Sequence, residues 1–189
     1  NTDWVRRQEK VGPKIGQELR DDAVQAVLVS LVLILVYMAW RFKQFLFGIA
    51  AVIALGHDVL ITLGLLSLLN IEITLAVVAA ILAIVGYSLN DTIVVFDRIR
   101  ENIRSSSNRS FIDTLNRSIN DCLSRTVITS LTTLFAVGVL MIWGGEVIRD
   151  FTITLAVGIL IGTYSSIFVA SPVLLAGHER TQRKARDSK

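Results

Sequence analysis

The chain has one cysteine, Cys122, and only two histidines, His57 and His178, far apart in the sequence. A lone thiol excludes an intrachain disulfide and a cysteine-based metal cluster, and two distant histidines make a poor metal site. No glycine-rich phosphate loop ending in Lys-Ser or Lys-Thr is present, which argues against nucleotide hydrolysis. The expectation is a protein that is not an enzyme and carries no cofactor. Charge is scarce too: 19% of residues are charged and 52% hydrophobic, with a mean hydropathy of +0.59. That balance is too apolar for a soluble domain of this length. A signal peptide is also missing, since the first 22 residues are polar and contain Pro13 and two glycines. With Asn1 at the start, the sequence reads as a fragment of a longer chain.

What is present is long apolar runs. A membrane-spanning helix needs about 20 predominantly apolar residues at about 1.5 Å each. Five windows qualify, roughly Ala23 to Trp40, Phe45 to Leu69, Ile73 to Phe96, Cys122 to Trp143 and Phe151 to Leu175. The fold expected is an all-α membrane protein, a polytopic bundle over 23–177. A polar stub over 1–22 precedes it and a basic tail over 178–189 follows.

The basic residues are unevenly divided among the loops. One set of alternate loops holds Arg41 and Lys43, six more from Arg98 to Arg125, and five from Arg180 to Lys189, whereas the opposite set holds only Arg149. By the positive-inside rule the richer set and the C-terminus face the cytoplasm, leaving the N-terminal stub on the periplasmic side. The stub's own five basic residues weigh little if they belong to a larger translocated domain. This distribution also accounts for the net charge of +3 without nucleic acid as a partner; the tail anchors topology beside membrane lipid. Between the third and fourth windows, Ser110-Phe-Ile-Asp113 has the form of a capping box, and Phe111, Ile112, Leu115, Ile119 and Leu123 recur at helical spacing. An amphipathic helix over 110–121 is therefore expected, lying on the cytoplasmic membrane surface or packed against another cytoplasmic helix.

Three ionisable residues fall inside the apolar windows: Asp58 in the second, Asp91 in the third and Arg125 at the start of the fourth. Each costs about 2.5 to 3.5 kcal/mol at a helix centre, so each should face the protein interior and find a partner. Counting from the midpoints of their helices, Asp91 and Arg125 both lie about 10 Å to the cytoplasmic side. An ion pair between them fits this geometry, serving either ion movement or simple helix registry. Around Asp91, the segment Gly86-Tyr-Ser-Leu-Asn-Asp-Thr92 concentrates hydrogen-bonding groups in an otherwise aliphatic span. Ser88, Asn90 and Thr92 could solvate a proton or act as helix-helix glue. Asp58 is the weaker candidate, with His57 beside it as a local hydrogen-bonding partner. Ala76/Ala80, Ala79/Ala83 and Gly158-Ile-Leu-Ile-Gly162 with Ser165, Ser166 and Ala170 permit close helix packing.

These residues carry a resemblance. Val11-Gly-Pro-Lys-Ile-Gly16, Ala54-Leu-Gly-His-Asp58 and above all Gly86-Tyr-Ser-Leu-Asn-Asp-Thr-Ile-Val-Val-Phe-Asp-Arg-Ile-Arg-Glu-Asn102 resemble the bacterial SecF side of the SecD/SecF family, within the resistance-nodulation-division superfamily. The resemblance implies a six-span protein of which this chain supplies spans two to six, lacking the first helix and most of a periplasmic domain. It also implies Sec-dependent protein export driven by the proton-motive force, with protons as the coupling ion. The implied partners are SecD, the SecYEG channel, YajC, YidC and the translocating polypeptide. Asp91 matches the acid of the family motif, and Leu123-Ser-Arg-Thr-Val-Ile-Thr-Ser130 places Arg125 at the family's arginine, the two implied in proton movement. Arg41-Phe-Lys-Gln-Phe-Leu-Phe47 matches no family motif. The alternatives are a small-molecule or lipid exporter of the same superfamily and a structural scaffold of the translocon.

Overall fold

In a computed structural model the described residues are 13–105 and 110–187, with side chains described from residue 21 onward. Among them there is no strand. Six α-helices follow one another: α1 Pro13–Phe42, α2 Phe45–Leu68, α3 Leu75–Ser105, α4 Phe111–Trp143, α5 Arg149–Phe168 and α6 Ala170–Asp187, with a 3₁₀ turn Glu146–Ile148 before α5. Five stretches among them are long and apolar enough to cross a membrane, α5 and α6 forming one between them.

The helix ends follow local chemistry. α2 closes in a Schellman motif: Asn70 takes a left-handed φ of 53°, its N–H donates to the Ser67 carbonyl at 3.1 Å, and the Ile71 N–H donates to the Leu66 carbonyl at 3.0 Å. Thr74 caps α3 by accepting the Val77 N–H at 3.3 Å. Gly145, at φ 75°, makes the left-handed turn between α4 and α5 that a side chain would strain. The break between Phe168 and Ala170 lies four residues before Pro172, whose ring opposes the Phe168 carbonyl and whose nitrogen has no proton to offer it.

The expected surface helix over 110–121 is not a separate element. Ser110 does cap it, accepting the Asp113 N–H at 3.2 Å, but α4 runs unbroken from Phe111 through the apolar window to Trp143. Of the expected apolar face, Leu115 lies in the core and Phe111 and Ile119 pack against it. Leu115, Ser118, Cys122 and Thr126 point inward, while Ile112 and Leu123 are exposed. The inward face packs on α3, where Asn102 donates to Ser118 at 2.9 Å, and Phe111 stacks on His178 of α6 at 4.0 Å. The contacts seen are with neighbouring helices, the second of the two arrangements expected for this segment.

α3 and α5 form the centre of the bundle, with α2 and α4 packed against both. Gly158 and Gly162 on α5 make the close approach: a β-carbon on the first would collide with Ile84, and one on the second would stand 2.9 Å from the Ser88 β-carbon. Two apolar clusters result. One joins Met38, Phe42, Phe47, Phe96, Ile99, Leu115 and Leu174, with Phe42 and Phe47 stacked at 5.2 Å and Phe96 edge-on to both. The other joins Leu55, Val59, Leu66, Val77, Ile81 and Val85. α1 gives Met38 and Phe42 to the first cluster, while its other face leaves Leu28, Val32, Leu33, Val36 and Trp40 exposed, as a helix bathed in lipid does.

Gly158→Ala is expected to destabilise the bundle by about 1–3 kcal/mol through overpacking against Ile84. Gly64→Ala, where nothing lies within 4 Å, should leave thermal unfolding of the detergent-solubilised protein unchanged. Equal melting of the two variants would refute the α3–α5 contact.

Candidate functional site

Between the two apolar clusters lies a polar layer built on Asp58. The carboxylate is 1% exposed and receives hydrogen bonds from three directions. Ser88 of α3 donates to Oδ2 at 2.5 Å, Ser165 of α5 donates to the same oxygen at 2.7 Å, and His57 Nδ1 lies 3.1 Å from Oδ1. One acid of α2 thus binds both central helices. The contact depends on Gly162, which lets α5 approach α3 at Ser88. A carboxyl group with this many partners has its hydrogen-bonding capacity largely met without water.

Asp91 stands one helical turn beyond Ser88 and is built differently. It is 3% exposed, and its Oδ2 has no hydrogen-bond partner among the described residues. Buried polar atoms are rarely left so. Arg125 does not supply the missing partner: among the described residues no ion pair within 4.0 Å joins it to Asp91. Its side chain lies on the exposed face of α4. There it lines an open cavity of about 380 Å³ with Val94, Asp97, Arg98, Glu101, Asp121 and Cys122. Val94, one turn beyond Asp91 on α3, stands on the wall of that cavity.

The other residues of the Asp91 segment divide by helix face. Thr92 is buried and returns its hydroxyl to the Ser88 carbonyl at 3.1 Å, an ordinary bond within the helix. Asn90 points outward and is exposed, so it takes no part in the layer. Tyr87 reaches the other side, where its hydroxyl donates to Ser130 at 3.4 Å and Ser130 shares a hydrogen bond of 2.7 Å with Thr163. This second chain ties α3, α4 and α5 beside Asp91. The residue that sequence reasoning missed is Ser165, assigned only to close packing. A serine one turn after Gly162 in an aliphatic helix was the available signal, but its acceptor is 107 positions away.

Toward the basic end, ion pairs fasten the extension of α3 beyond the apolar window. Arg41 of α1 meets Asp97 at 2.8 Å, and Arg98 bridges Asp121 of α4 and Glu101, each at 2.8 Å. Asp121 is one turn before Arg125, so these contacts set the rotation of α4 and with it the direction of the arginine.

Taken together, the fold and this layer define a multi-pass helical membrane protein with ionisable groups buried at the junction of its central helices. Residues 2–180 match the family described as protein export membrane protein SecD/SecF, C-terminal, and the chain belongs to that family. It is 56% identical over 169 residues to the protein translocase subunit SecF of Calditerrivibrio nitroreducens, covering 88% of this chain and 55% of the relative. It is 52% identical over 184 residues to the protein translocase subunit SecDF of Thermus thermophilus, covering 97% of this chain and 25% of the relative. The chain therefore spans about half the length of the SecF relatives it matches. Among solved structures, SecDF in its super-membrane-facing form superposes with a TM-score of 0.85 at 50% identity, over 93% of this chain and 24% of that one. A second, SecDF described as a translocon-associated membrane protein from Thermus thermophilus, gives 0.83 at 52% identity over 89% and 23%.

Removing the Asp58 carboxylate leaves two fully buried hydroxyls short of their acceptor, at about 1–3 kcal/mol each. Asp58→Ala should therefore lower the thermal stability of the purified protein more than Ser165→Ala, since in the latter Asp58 keeps Ser88 and His57 as partners. Melting profiles matching the parent for both variants would count against the network.

Proposed function

We propose that this chain is the membrane part of a SecF-like subunit that assists Sec-dependent protein translocation across the bacterial inner membrane, driven by the proton-motive force. Its role is transport, without covalent catalysis. Its basic loops and C-terminus face the cytoplasm and its N-terminal stub the periplasm, in keeping with the loop charges. Asp91 is the group that takes up and gives up the proton, and Arg125 is the cation that governs it. The observation that carries this reading is the buried Asp91 oxygen without a hydrogen-bond partner. That oxygen has room for a proton, and a guanidinium brought against it would take the proton's place. A movement of α4 against α3 that changes their separation therefore loads or releases a proton.

The energy required is within reach. A potential of 100 mV supplies about 2.3 kcal/mol per proton, and such a change is comparable to making or losing one charged contact away from water. The cavity beside Arg125 gives the site a water-side approach from the basic end. Exposure of Arg125 on a membrane helix supports the partner assignment: left in lipid the charge is costly, so an acid of SecD is its counterpart on that face. SecYEG, YajC, YidC and the exported polypeptide complete the assembly proposed, and the cycle moves the periplasmic domain that acts on the emerging chain.

Asp91→Asn and Arg125→Ala should each abolish potential-dependent stimulation of preprotein export into inverted vesicles while leaving the subunit inserted and bound to SecD. Asp58→Asn should instead lower assembly without changing proton flux per assembled complex. Full stimulation in the Asp91 and Arg125 variants would reject the relay and leave a scaffolding role.

A further inference from the structure

At the basic end of the bundle, two cavities of about 500 and 230 Å³ lie side by side along α3. Arg100 and Arg104, one helical turn apart, line both. Arg41 adds to the larger one and Lys43 to the smaller, so basic groups from two parts of the chain converge on one cleft.

The acids nearby are already engaged. Asp97 pairs with Arg41 at 2.8 Å, and Glu101 pairs at 2.8 Å with Arg98, which lines the separate cavity beside Arg125. Arg100 gives one N–H to the Arg41 carbonyl at 3.3 Å, which fixes the guanidinium without neutralising it. Among the described residues neither Lys43 nor Arg104 has an ion-pair partner. Lys43 is held at the α1–α2 turn in a left-handed conformation, φ 55°. Three uncompensated cations thus surround the cleft.

The wall of the cleft supplies the second half of the argument. Phe42 and Phe47, stacked on each other, line the smaller cavity together with the exposed Ile103. Trp40 and Phe45 are exposed on either side of the turn, the position of an aromatic belt at a membrane–water boundary. A topology anchor needs only basic residues in a loop. A cleft with cations above an apolar wall, at the depth where the spans leave lipid, also matches an anion carrying acyl chains.

We propose that this cleft binds the phosphate of an anionic phospholipid headgroup, with Arg100, Arg104 and Lys43 around the phosphate and the acyl chains descending beside Trp40 and Phe45. Such a lipid would bridge the α1–α2 turn to the extension of α3, the helix that also carries Asp91.

The test uses the full-length protein with its partner in nanodiscs containing phosphatidylglycerol and phosphatidylcholine, with retained lipids counted by native mass spectrometry. The variant Lys43→Ala/Arg104→Ala removes exposed groups with no ion pair to lose, so folding is preserved. It should release one phosphatidylglycerol per chain, with the preference over phosphatidylcholine falling about 30-fold for two cations near the surface. Arg183→Ala/Lys184→Ala on α6, equal in charge, should retain that lipid. Unchanged phosphatidylglycerol retention in the first variant, or equal loss in both, would overturn the site. Displacement of the lipid by millimolar inorganic phosphate would overturn the lipid source in favour of a free anion.

Discussion

The carboxylate of Asp58 is the point on which the bundle turns. It gathers a hydroxyl from α3 and a hydroxyl from α5 onto one oxygen, and it does so in a layer with apolar side chains on both sides. In such surroundings hydrogen bonds to a charge are strong because water does not compete for them. The same surroundings make an unmatched charge costly, so the layer is exacting about who its partners are. Gly162 is part of that interaction although it contributes no polar atom: a side chain there would push α5 away from Ser88.

Against this background the two acids of the bundle are opposites. Asp58 has a donor for each oxygen, whereas Asp91, one turn along from Ser88, keeps an oxygen with none. A satisfied carboxylate fixes geometry and an unsatisfied one is suited to changing state. The proximity of the two on neighbouring turns means that the first can hold the backbone of α3 while the second responds to its surroundings.

The basic end follows a different logic, because water reaches it. There the ion pairs of Arg41 with Asp97 and of Arg98 with Asp121 are partly exposed and individually weak. Their value is geometric, since they fix α3 relative to α1 and α4 where the apolar packing thins out. The leftover cations beside them have no counter-charge within the described chain, which is what makes the cleft near Lys43 receptive to an anion.

The spans were legible from apolar run length alone, because a bilayer fixes how many residues a helix needs. The family motif around Asp91 was equally plain, and so was the oddity of an acid at Asp58. Over 110–121 periodicity found the helix and part of its packed face, Phe111, Leu115 and Ile119, but it also took in the exposed Ile112 and Leu123 and could not see that Ser118 and Cys122 turn inward or that the helix runs on without a break to Trp143. Apolar residues can face lipid as well as protein, so hydrophobic pattern cannot pick the inward side of a membrane helix. By itself the sequence determined which helices form and which charges enter the apolar layer. Only the tertiary structure decided that Asp58 is satisfied, that an oxygen of Asp91 is not, and that no ion pair joins Asp91 to Arg125, because the groups that settle these matters come from helices far apart along the chain.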